Sequence, residues 1–169
     1  MFFFLSYNKY VAIIGDIVDS KKIKDGIAIQ QKFKNVLADI NVKYSEDIAS
    51  KFTITLEDEF QGLLKNRNNI MKIICEIEMA MTPVELRFGI GIGDIRTDIN
   101  FDNSSKIDGP AYYRARKMIK EIESIKFQYT ERHSNIMICS EEDNVEIDEL
   151  LNSILSVCTA LKSKWTDRQ

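Results

Sequence analysis

Apolar runs broken at regular points set out the elements of this chain. Tyr10–Gly15, YVAIIG, is apolar and β-branched throughout and predicts a central strand. From Gly26 to Ile40, residues Ile27, Ile29, Phe33, Val36, Leu37 and Ile40 recur near helical spacing, which predicts a long first helix. FTITLEDEFQGLL predicts two strands, Phe52–Leu56 and Phe60–Leu64, with the acids Glu57, Asp58 and Glu59 between them. A second helix is expected over Asn69–Met81, and Pro83 prevents its continuation. In LRFGIGIGDI the alternating glycines leave one face of a strand nearly bare, open to close approach by another element or a ligand. A loop rich in Asp, Asn and Ser spans Asp98–Ser105, and a helix opens at Asp108, Gly109 and Pro110, with proline suited to a first helical turn. Asn135–Cys139 reads as a short strand and Val145–Lys162 as a final amphipathic helix. The order βαββαβαβα predicts an α/β (α+β) sandwich: a ferredoxin-like βαββαβ core with an extra C-terminal strand and helix.

Composition narrows the function classes. At 169 residues, 44% apolar and 29% charged, the chain suits one globular domain with a sizeable core. A net charge of −3 gives no basic footprint for nucleic acid. Cys75, Cys139 and Cys158 are scattered through apolar stretches without a CxxC pair, which predicts buried reduced thiols, a cytoplasmic setting and no structural zinc. The opening MFFFLSYNKY lacks a basic start and a cleavage site, so no signal peptide is expected. No run approaches the roughly 20 apolar residues of a membrane span, and no membrane partner is expected.

Candidate chemistry collects around GDIVDS. A ferredoxin-like core lays its first strand beside the strands of its hairpin, so Asp16 at the end of the first strand comes close to Asp58 at the hairpin tip. Two carboxylates meeting at one sheet edge suit a hard cation, magnesium or manganese, and phosphoryl-transfer chemistry holds triphosphates that way.

The same residues carry a resemblance. GDIVDS, TLEDEFQGLL, RFGIGIGDI and DGPAYYRARKMI, in that order over about Tyr10–Ile122, resemble the catalytic palm of class III nucleotide cyclases and GGDEF diguanylate cyclases. That resemblance implies metal ligation by Asp16, the Ile17 carbonyl and Asp58, with Glu59 beside them. It also implies a catalytic role for Arg116. GDIVDS, DEFQGL and DGPAYYRAR together resemble the bacterial SatD family more closely. LKSKWTDRQ, Leu161–Gln169, is similar to the opening of the helix-turn-helix such proteins often carry. By that resemblance, residues 1–164 form the palm domain and 165–169 begin a DNA-binding segment, the one part through which DNA would be met.

Other positions depart from active cyclases. Ile54 stands where a base-reading lysine is common, Tyr112 where a transition-state asparagine falls, and Leu56–Glu57 where a glycine pair occurs. Asp19 is an outer acid of the site or a helix cap; Asp108 reads as an N-cap. Ser20, Lys21 and Lys22 enter the first helix, where free N–H groups hold phosphate, or form a solvated face. Tyr112, Arg116 and Lys120 share a helical face at i, i+4 and i+8, suited to stacking on a base and forking onto phosphate, or to an ordinary amphipathic helix. His133, the only histidine, lies in a polar stretch and is expected to be inert. Three functions follow: a metal-dependent sensor of a nucleotide or other phosphate-bearing molecule in a transcriptional regulator, an active two-metal phosphoryl transferase, or a palm kept for homodimerisation.

Overall fold

The computed structural model describes residues 9–22, 25–56, 58–128 and 134–166. Its elements are β1 (Tyr10–Ile17), α1 (Gly26–Lys43), β2 (Ile48–Leu56), β3 (Glu59–Leu64), α2 (Ile70–Met81), β4 (Leu86–Gly93), α3 (Pro110–Gln128), β5 (Ile136–Cys139) and α4 (Val145–Thr166). They form one five-stranded sheet in the order β2-β3-β1-β4-β5. β1 lies antiparallel between β3 and β4, and β5 adds parallel to β4. The expected element order and the ferredoxin-like core are both present.

Strand alternation divides the core into two layers. Val11, Ile13 and Ile17 of β1 face α1 and α2, packing with Phe33, Leu37, Ile73 and Ile77. Ala12 and Ile14 face α3, packing with Ala111, Tyr112, Ala115 and Ile119. The bare face of β4 is filled by that helix. A Cβ on Gly91 would lie 1.9 Å from the Ala111 carbonyl oxygen, and one on Gly89 2.2 Å from that of Ala115. Glycines on the strand and alanines on the helix thus let two backbones meet, and α3 runs antiparallel along β4 from Gly93 toward Arg87.

Several local expectations differ from the structure. β2 begins at Ile48, four residues before the predicted start, because Ile48 and Ala49 are buried and the Ser50 hydroxyl is satisfied by the Asn100 carbonyl. Ser20–Lys22 form a separate 3-10 turn and do not enter α1; the Asp25 carboxylate caps α1 by accepting from the Ala28 N–H at 3.2 Å. Asp19 takes a left-handed backbone (φ 53°), a conformation a short acidic side chain tolerates, and pairs with Lys22. Asp108 does not cap α3: its carboxylate accepts from Tyr113 Oη, while the Asp94 carbonyl accepts from the Ala111 N–H. Cys75 and Cys139 are half-buried and Cys158 is exposed, because α4 covers the sheet's β5 margin with only one of its faces. Glu57 and His133 lie outside the described residues.

Candidate functional site

The site occupies the sheet end where β1 stops. Asp16 shares the parity of Ala12 and Ile14 and therefore faces the α3 side. Strand register sets Glu59 of β3 across from it on one flank and Arg87 of β4 on the other. Arg87 donates through Nε to Asp16 Oδ1 at 2.8 Å and through Nη2 to Oδ2 at 2.6 Å. From α3, Glu123 approaches the same guanidinium at 3.1 Å. Arg116, two turns earlier, forks onto Glu59, with Nη2 to Oε1 at 2.9 Å; Thr55 Oγ1 donates to that oxygen, also at 2.9 Å. Two arginines are thus interleaved with three carboxylates beneath one helix. Bidentate geometry makes these strong, directional contacts.

The hairpin tip adds Asp58. Its carbonyl accepts from the Ile17 N–H at 2.9 Å and its carboxylate from Ser20 Oγ at 2.6 Å. Topology therefore brings Asp16, Ile17, Ser20, Asp58 and Glu59 to one end of the sheet; the order of elements predicts this for Asp16 and Asp58. Burial is the largest influence on Asp16 and raises its pKa; Arg87 opposes the rise, while Glu123 and Asp58 add to it. Arg116 is held more firmly protonated by its hydrogen bonds to Glu59, which outweigh its partial burial.

The remaining candidates lie differently. Lys21 and Lys22 are exposed on the 3-10 turn, too short to present a helix N-terminus to phosphate. Lys120 is exposed. Tyr112 is 6% exposed within the second core layer, so its ring offers no open face to a base; its hydroxyl is buried with no hydrogen-bond partner among the described residues. Facing it across that layer, residues 94–109 are fastened to the hairpin by reciprocal bonds between Ser104 and Gln61.

A divalent cation fits this arrangement poorly. Both oxygens of Asp16 and both of Glu59 already receive guanidinium N–H groups, whereas a cation needs carboxylate oxygens turned toward one shared point. Among the described residues no group of three or more His, Cys, Asp or Glu is placed to hold a metal ion.

Arg87, Glu123 and Thr55 were not singled out from the sequence. The available signal was parity: Arg87 shares a strand face with Gly89, Gly91 and Gly93, so it must point where α3 comes down.

Comparison with known proteins now adds to the geometry. The sequence model described as the SatD family matches residues 10–169. A bacterial light-regulated adenylyl cyclase is similar in structure with a TM-score of 0.54 and 12% identity, covering 77% of this chain and 74% of that one. The adenylyl cyclase CyaB from P. aeruginosa is similar with a TM-score of 0.51 and 14% identity, covering 67% and 71%. No curated protein matches the sequence. At these identities the two cyclases establish the fold. No helix among the described residues is long and apolar enough to cross a membrane.

Proposed function

The chain belongs to the SatD family and has the fold of cyclase catalytic domains, and on that basis we propose that it binds a nucleotide or related phosphate-bearing molecule at the Asp16–Asp58 end of its sheet. The observation that carries this is the pair of guanidiniums, Arg87 of β4 and Arg116 of α3, each held on a carboxylate at the sheet end where β1 stops. Arg116 is 38% exposed and its counter-ion sits at the sheet edge, so a phosphate competes directly with Glu59 for its fork. The wider role in a transcriptional regulator rests on the resemblance of Leu161–Gln169 to a helix-turn-helix opening.

The similarity to adenylyl cyclases makes ATP the first ligand to try. Thermal unfolding with ATP and GTP should show a saturable rise for one of them, about 2.7 kcal/mol at a hundredfold excess over Kd. Arg116→Gln should abolish the rise while leaving the unliganded protein folded. No rise with ATP, GTP or inorganic phosphate overturns the proposal.

A further inference from the structure

α4 packs one mixed face on the sheet and leaves an apolar face open. Asn152, Leu155, Thr159 and Lys162 form the inner face. The Asn152 amide bonds both the N–H and the carbonyl of Ile138, satisfying the edge of β5 as another strand would. Leu155 packs against the main core, and Lys162 pairs with Glu78 at 2.7 Å. On the far side stand Ile147, Leu150, Ile154, Val157 and Leu161, exposed by 57, 62, 50, 58 and 51%. Their spacing of three, four, three and four is the a/d pattern of a coiled-coil seam. Leu151 and Cys158 border the stripe, and both are exposed.

The extent of this face is that of an interface. With about half of each side chain open, the stripe amounts to roughly 500–700 Å², at or above the largest apolar patch of an ordinary monomer. Two such faces together would bury about 1,000–1,400 Å², within the range of specific protein–protein contacts. Positions 150–161 (LLNSILSVCTAL) contain no Asp, Glu, Lys, Arg or His.

From this we infer that α4 pairs with α4 of a second copy of the chain through Ile147, Leu150, Ile154, Val157 and Leu161. The seam lies beyond β5, on the far side of the sheet from the Asp16 hairpin neighbours β3 and β2, so nucleotide binding and pairing are separable.

Sedimentation velocity of the full chain from about 1 to 100 µM tests the inference. A species of twice the 19.5 kDa chain mass is expected, and a monomer throughout that range overturns the inference. Ile154→Glu and Val157→Glu should each weaken association at least 100-fold while the single chain still folds, because each side chain is half or more open in it; Leu150→Ser provides a milder variant. A dimer unchanged by all three overturns the seam. Residues 1–8 (MFFFLSYN) offer a rival apolar cover; their deletion should leave the dimer intact, and a dimer lost with them overturns helix-to-helix pairing.

Discussion

Arg87 grips Asp16 with two parallel hydrogen bonds, 2.8 and 2.6 Å, from directly across the β1–β4 register. Both side chains are only 13% exposed. The carboxylate that resembles a cyclase metal ligand is therefore already neutralised by a cation belonging to the protein itself. Whatever binds at this end of the sheet must either use that pair or part it.

Breaking the pair from one side should cost more than removing it altogether. Asp16→Ala leaves a guanidinium under α3 with Glu123 as its remaining acid and should destabilise by about 2–4 kcal/mol. Asp16→Ala with Arg87→Leu should recover part of that loss, with a coupling energy of about 1–3 kcal/mol. Urea denaturation of the four proteins in the cycle measures both, and additive losses would show the pair to be uncoupled.

The raised pKa of Asp16 has a definite sign. Burial raises it above the ordinary aspartate value despite Arg87, so the folded state binds that proton more tightly than the unfolded chain does. Its contribution to stability is full below the unfolded pKa and is lost as pH rises through the folded one. Asp16→Asn should flatten that part of the stability–pH curve, measured by denaturant midpoints from about pH 3.5 upward. An unchanged slope would place the titration elsewhere.

Gly91 and Gly26 should respond oppositely to alanine. At Gly91 the new methyl meets the Ala111 carbonyl at 1.9 Å, backbone against backbone, and should cost more than about 3 kcal/mol or prevent folding. At Gly26, the first residue of α1, nothing lies within 4 Å, and alanine should stabilise by about 0.4–1 kcal/mol. Thermal melts of the two variants compare them directly.

Tyr112 carries a buried hydroxyl with no partner among the described residues, and burial pushes its pKa far above the usual tyrosine value. An unmet polar group is costly when buried, so Tyr112→Phe should be neutral or stabilise by about 1–2 kcal/mol. A loss of stability would reveal a partner for that hydroxyl.

Much of the architecture was determined by the sequence alone, because it depends on local periodicity. The unbroken β-branched run before Gly15, the helical spacing after Gly26 and the bare glycine face of β4 each report a burial pattern that neighbouring residues share. The order of elements then sufficed to bring Asp16 and Asp58 together, since a ferredoxin-like core admits one place for each strand. Which group holds Asp16 was decided only in the tertiary structure. Arg87 lies 71 residues away, and nothing local to either residue announces a pairing that depends on strand register. For the same reason Asp25 displaced Asp19 as the cap of α1, once the β1 exit had tied Ser20 to Asp58. Tyr112, one turn from Arg116 and on its helical face, went into the core because the glycines of β4 drew α3 down onto the sheet. Periodicity shows which face of an element is buried, but only the packed fold shows which partner it is buried against.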